Sequence, residues 1–140
     1  MKKSMILVGT QGSGKTTLIQ RLSNDEMVYR KTQAVEYHPK IIDTPGEYLE
    51  NPRYYHAIVT LSFDAKIVAF VHDSTSRDNY FPPQFASMFN QSVVGIITKT
   101  DHSEADVVRS EGWLRKAGVT TVYQVSAYSG AGIGQVAEIL

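Results

Sequence analysis

The segment Gly9-Thr10-Gln11-Gly12-Ser13-Gly14-Lys15-Thr16 concentrates more chemistry than any other in this chain. Its spacing is G-x-x-x-x-G-K-[ST], placed between an apolar run and an amphipathic one. Glycines let the backbone curl so that successive N–H groups converge on anionic oxygens, and a helix starting just behind them adds favourable potential. Lys15 supplies a point charge suited to β- and γ-phosphates, and the Thr16 hydroxyl suits Mg²⁺. Gln11, Ser13 and Thr17 complete the phosphate-facing set, and Gly9, Gly12 and Gly14 shape it.

Two further segments carry chemistry. Ile41-Ile42-Asp43-Thr44-Pro45-Gly46 ends an apolar run with an acid and a turn. By itself D-T-P-G is only a good turn sequence. Downstream of a phosphate loop, Asp43 can hold a Mg²⁺ shell, directly or through water, and the Gly46 N–H can sense a γ-phosphate. Ile96-Ile97-Thr98-Lys99-Thr100-Asp101 closes another apolar run with T-K-x-D. Guanine offers its N1–H and N2 amine side by side, and one carboxylate, Asp101, can accept both. Adenine would leave that acid unpaired, a mismatch that discriminates strongly. The Lys99 stem can lie over the base while its ammonium ties back to the phosphate loop. Ser126-Ala127 follows a later apolar run and is placed to give a backbone N–H to the guanine O6. Small polar residues at strand ends are also ordinary turn formers, so that reading stays open beside the functional one.

These pieces need strands that end together and helices that begin there. Short apolar runs alternate with amphipathic segments throughout, the pattern of a doubly wound α/β fold. Strands are expected at 4–9, 34–37, 40–43, 67–72, 93–98 and 121–125. The first helix presents Leu18, Ile19 and Leu22. The second opens on Asn51 and Pro52 and buries Tyr54, Ile58 and Leu61. A short third carries Phe85, Met88 and Phe89. The fourth has Ser103 and Asp106 spaced as a capping box and Gly118 after its last turn. The last places Ile133, Val136, Ala137 and Leu140 on one stripe. The expectation is one domain over 1–140: a three-layer α/β/α unit with a six-stranded, mostly parallel sheet and one antiparallel edge strand.

Composition narrows the function classes. Fourteen basic side chains balance fourteen acidic ones in 140 residues, and no basic cluster larger than a pair such as Lys2-Lys3 or Arg30-Lys31 stands out. With the charges balanced overall, nonspecific attraction to nucleic acid is not expected. There is no cysteine for a disulfide or thiolate site. No apolar run reaches the roughly 20 residues of a membrane span. Gly9 and Lys15 interrupt the leading apolar run before a signal-peptide core could form, so a cytoplasmic location is expected. His38, His56, His72 and His102 are scattered without ligand spacing. Of these, His72 faces the site edge. The aromatic residues Tyr48, Tyr54, Tyr55 and those in 81–89 have two readings, a partner surface beside the second switch or core.

The order of motifs resembles the GTPase superfamily, with its Ras-like P-loop fold. That resemblance implies GTP/GDP and Mg²⁺ as ligands. It makes Thr32 the switch threonine that completes the Mg²⁺ shell with Thr16 and Asp43. It places Lys15, Thr32, Gly46 and Glu47 about the reacting phosphate, and Thr98, Lys99, Asp101, Ser126 and Ala127 about guanine. Thr98 stands where Asn is more usual. Glu47 replaces the water-orienting Gln of the Ras-like branch; a carboxylate beside a γ-phosphate is awkward, so it is expected to face solvent or pair with Lys31 or Arg53. Gly12 replaces the Asn of potassium-activated members. Unassisted hydrolysis is therefore expected to be slow, on the order of 10⁻⁴ to 10⁻² s⁻¹.

More narrowly, three segments resemble the EutP/PduV family of ethanolamine and propanediol utilisation. They are Arg30-Lys31-Thr32-Gln33-Ala34-Val35-Glu36, the stretch from Asp43 to Arg53, and Phe81-Pro82-Pro83-Gln84-Phe85-Ala86-Ser87-Met88-Phe89-Asn90. The Lys31-to-Glu36 stretch and the switch tyrosines favour the ethanolamine branch. The resemblance implies association with a bacterial microcompartment, with a shell or pathway protein as partner. Three roles remain open under it: a slow GTPase switch, a kinase passing a γ-phosphoryl to a small carboxylate such as acetate, and a docking protein that nucleotide merely supports.

Overall fold

The structure is a computed structural model and describes residues 2–23 and 32–140. Strand β1 (Lys3–Val8) runs into the glycine-rich loop and helix α1 (Lys15–Leu22). After it come β2 (Glu36–Tyr37), β3 (Ile41–Asp43), a single helical turn α2 (Glu47–Glu50), a 3₁₀ turn (Pro52–Tyr54) and α3 (Tyr55–Ser62). Strand β4 (Ala65–Asp73), a 3₁₀ turn (Phe85–Met88), β5 (Ser92–Thr98), α4 (Val107–Lys116), β6 (Thr121–Gln124) and α5 (Ile133–Glu138) complete the chain.

The six strands form one sheet in the order β2-β3-β1-β4-β5-β6. β1 is paired in parallel with β3 and β4, and the parallel pairing continues through β5 to β6. β2 is antiparallel to β3 at the edge. This is the Ras-like α/β architecture expected from the motif order. β1 is buried on both faces, and side-chain alternation divides its residues between two cores. Ile6 and Val8 join Ile42, Val68, Phe70 and Ile97 beneath α2, α3 and α4. Met5 and Leu7 join Ile41, Ala69, Val71 and Ile96 beneath α1 and α5, where Leu18, Ile19 and Val136 close the layer.

The aromatic segment 81–89 resolves as core at three positions. Phe70 stacks on Phe81 at 4.7 Å, lies 5.4 Å from Phe85, and Phe85 meets Phe89 edge-on at 5.5 Å. Met88 departs from the expected stripe and is exposed, at the last position of a 3₁₀ turn rather than on a continuing α-helix.

Other element boundaries shift for local reasons. The helical turn α2 has no counterpart in the sequence reading; Gly46 adopts helical angles and begins it directly after the D-T-P-G turn. Asn51 does cap, accepting from the Arg53 N–H at 3.1 Å, but it opens a 3₁₀ turn that leaves Tyr54 half-buried, while Ile58 is buried in α3. Asp106, not Ser103, caps α4 by accepting from the Arg109 N–H at 3.0 Å. Ala137 is exposed, since a helix of six residues buries only Val136 fully. No helix among the described residues is long and apolar enough to cross a membrane.

Candidate functional site

The loop after β1 turns through left-handed angles at Gly12 (φ 78°) and Gly14 (φ 101°), conformations that cost L side chains steric strain. Lys15 then folds back over the loop. Its Nζ donates to the Gly9 carbonyl at 2.8 Å and the Thr10 carbonyl at 3.0 Å. It is 5% exposed, and burial pulls its pKa down to about 8, although Asp43 and Glu50 act to raise it. This is an ammonium held out of water, where desolvation outweighs the two nearby carboxylates.

Beside it, three oxygens from three parts of the chain meet. Thr32 Oγ1 lies 3.2 Å from Thr16 Oγ1 and donates to Asp43 Oδ2 at 2.9 Å. Asp43 is buried at the end of β3, which raises its carboxyl pKa; Lys15 and the Thr32 hydroxyl oppose that rise. The donor set is hard oxygen, the kind Mg²⁺ takes. Thr16, Thr32 and Asp43 thus fit the expected ion by chemistry and by convergence.

The D-T-P-G turn closes against the loop. A Cβ at Gly46 would stand 2.1 Å from the Gln11 nitrogen, so only glycine permits this approach. Thr44 Oγ1 anchors the turn by donating to the Leu7 carbonyl at 2.7 Å. Glu47 is exposed, in keeping with the expectation that it faces solvent; Lys31, one of its two expected partners, lies outside the described residues, as does Arg30. The sequence reading missed Glu50. Its Oε2 accepts from the Gln11 N–H at 2.8 Å, one of the N–H groups assigned to phosphate. Only α2 carries it there, so nothing local in the sequence marked it.

On the other side of the loop lies a cavity of about 330 Å³ lined by Gly14, Thr17, Thr98, Lys99, Asp101 and Ala127, with Leu18, Val125 and Tyr128. The Lys99 backbone is left-handed (φ 58°), and its Nζ donates to the Gly12 carbonyl at 2.9 Å and to Asp73 Oδ2 at 2.7 Å. The expected tie from Lys99 to the phosphate loop is therefore present. Thr98 Oγ1 donates to the Ser13 carbonyl at 2.6 Å, a second tie to the same loop. Asp73, which the sequence placed with His72 at the site edge without a role, receives Lys99 on one oxygen and Thr75 on the other. Burial raises its carboxyl pKa, but these partners outweigh that and hold it below the ordinary range. The β4–β5 register pairs Asp73 with Thr98, a signal available only once the two strands were aligned.

Ser126 and Ala127 divide their work. The Ser126 N–H goes to the Ala131 carbonyl and its Oγ receives the Ser129 N–H, so it builds the loop; Ala127 lines the cavity. Tyr128, 84% exposed, stands at the rim and was not foreseen. His72 is structural: its ring nitrogens lie 2.9 Å from Ser110 Oγ and 3.3 Å from the Asp78 carbonyl, and Trp113 packs edge-on.

The whole chain, residues 1–140, matches the model of a family described as PduV-EutP, ethanolamine utilisation – propanediol utilisation. The chain belongs to the PduV-EutP family. Among similar members, a "Propanediol utilization protein PduV" of Citrobacter freundii is 36% identical over 96% of this chain and 90% of its own length. A "Probable acetate kinase EutP" of Escherichia coli (strain K12) is 33% identical, covering 99% of this chain and 89% of its own. The protein of that name in Salmonella typhimurium is 32% identical over the same shares. The family's place in these two utilisation pathways matches the resemblance drawn from the motifs.

Proposed function

We propose that this member of the family binds guanine nucleotide with Mg²⁺ and hydrolyses GTP slowly, so that its nucleotide state can govern a partner of the pathway, such as a microcompartment shell protein. The observation that carries the reading is the continuity of the cavity beside Asp101 and Ala127 with the loop, through Lys99 on Gly12 and Thr98 on Ser13. Gly9, Gln11, Gly12, Ser13, Gly14, Lys15, Thr16 and Thr17 would cradle the phosphates. Thr16, Thr32 and Asp43 would hold Mg²⁺, which neutralises charge developing on the transferred phosphoryl. Gly46 would face the γ-phosphate. Thr98 and Lys99 would brace the base, Asp101 would accept from guanine N1–H and N2, and Ala127 would give an N–H to O6.

A second reading follows from the printed name of the Escherichia coli and Salmonella relatives: phosphoryl transfer to a small carboxylate such as acetate. Next to the loop lies a groove lined by Gln11, Thr32, Gln33, Pro45, Glu47 and Glu50. Two glutamates there would repel an anionic acceptor, which places this reading second.

Calorimetry with Mg²⁺ and GDP, a non-hydrolysable GTP analogue and their adenine counterparts tests the first reading. A guanine preference of a hundredfold or more, about 2.7 kcal/mol, is expected. Equal or better adenine binding would overturn it. Nucleotide turnover that rises with added acetate would promote the kinase reading.

A further inference from the structure

The edge hairpin gathers three metal-ligating side chains outside the nucleotide machinery, sharing only Asp43 with it. β2 pairs antiparallel with β3 so that Glu36 stands directly opposite Asp43. Successive side chains of an extended strand alternate faces, so His38 shares the face of Glu36, and Tyr37 points the other way and is exposed. The His38 N–H closes the hairpin by donating to the Ile41 carbonyl at 2.8 Å. One ligand atom each of Glu36, His38 and Asp43 then lies within 4.8 Å of the other two.

Two buried atoms in this cluster have no hydrogen bond. Asp43 is 1% exposed; its Oδ2 is taken by Thr32, but Oδ1 is buried with no hydrogen bond. His38 Nε2 is likewise buried without a hydrogen bond, 3.6 Å from Glu36 Oε1. A buried carboxylate oxygen and a buried imidazole nitrogen, both unsatisfied and adjacent, form a half-built coordination shell.

We infer that Glu36, His38 and Asp43 form a second cation site, for a divalent transition ion of the zinc class, adjoining the Thr16–Thr32–Asp43 set at Asp43. One imidazole with two carboxylates is a donor set for Zn²⁺ or Mn²⁺, whereas Mg²⁺ prefers oxygen alone. A tetrahedral zinc with ligands at about 2.0–2.2 Å sets donor atoms roughly 3.4 Å apart, so modest side-chain rotation brings all three onto one ion. Asp43 is the shared wall between the two sites, one oxygen on the threonine side and the other unpartnered. The inference does not depend on nucleotide binding.

The test uses the full chain free of nucleotide, with Zn²⁺ delivered in competition with a chromophoric chelator and Mg²⁺ in large excess. One equivalent of Zn²⁺ is expected to bind and to raise the melting temperature. His38→Ala and Glu36→Gln are each expected to weaken binding tenfold or more, while His56→Ala and His102→Ala leave it unchanged. Should His38→Ala fold poorly, His38→Asn carries the same expectation. An unchanged Zn²⁺ affinity in a folded His38 variant, no bound equivalent in the wild type, or displacement by Mg²⁺ would each overturn the site.

Discussion

Glu50 Oε2 accepts a 2.8 Å hydrogen bond from the backbone N–H of Gln11, so a carboxylate carried by α2 sits on the phosphate loop itself. Gly46 makes this possible by bringing the turn before α2 against Gln11 with no room for a Cβ. An N–H proposed to cradle phosphate is thereby occupied by a carboxylate of the protein.

That contact predicts a nucleotide-selective effect. Glu50→Gln keeps an acceptor for Gln11 but removes a charge beside the γ-phosphate position. Affinity for a GTP analogue is expected to rise roughly fivefold, about 1 kcal/mol, with GDP nearly unchanged. Calorimetry on both nucleotides checks it; equal changes for the two would place Glu50 away from the γ-phosphate.

Lys15 gives a pH signature. Its pKa in the folded, nucleotide-free protein is lowered to about 8 by burial, against 10.5 when unfolded. Between those values the unfolded chain binds more protons, so stability is expected to rise with pH from 8 upward, by a total on the order of 3 kcal/mol across the window. Tyr55, whose pKa burial raises from 10, opposes this at the alkaline end, so the clean comparison is pH 7.5 against 9.5. Denaturant unfolding should show the increase in the wild type and lose it in Lys15→Met. GDP affinity should weaken over the same interval, because binding phosphate requires the ammonium.

The Asp73–Lys99 pair, 2.7 Å apart, predicts a positioning role for Asp73. Asp73→Asn releases the Lys99 ammonium from one of its two anchors. GDP affinity is expected to fall about tenfold, or about 1.4 kcal/mol, with guanine-over-adenine preference retained, since Asp101 is untouched. Because the Asp73 carboxyl is held below its ordinary value, the stability it contributes is present above that value and is lost as pH falls through the lowered one. Acid unfolding of Asp73→Asn should therefore be less steep than that of the wild type. A loss of base preference instead would assign Asp73 to the base itself.

Much of the site was legible because its chemistry is written in contiguous residues. G-x-x-x-x-G-K-T specifies its own turn, with Gly12 and Gly14 left-handed and Lys15 folded back on Gly9. The apolar runs before Asp43 and Thr98 placed those residues at the C-terminal ends of two strands of one parallel sheet, β3 and β5, and so on the same edge of it. The helical turn α2 was not legible: four residues are too short for a periodicity to declare itself. Met88 misled for a related reason, because the turn that carries it is also only four residues long and does not continue as an α-helix.

The sequence by itself determined the strand–loop–helix frame, the phosphate loop, and the motif order that leads to the family, because local backbone preference and apolar periodicity act over neighbouring residues. Only the tertiary structure decided that Glu50 caps Gln11, that Asp73 holds Lys99, and that Glu36, His38 and Asp43 converge. Those contacts join residues brought together by strand register and by the packing of α2 on the loop. A shift of one residue in the β2–β3 register would have turned Glu36 to the opposite face.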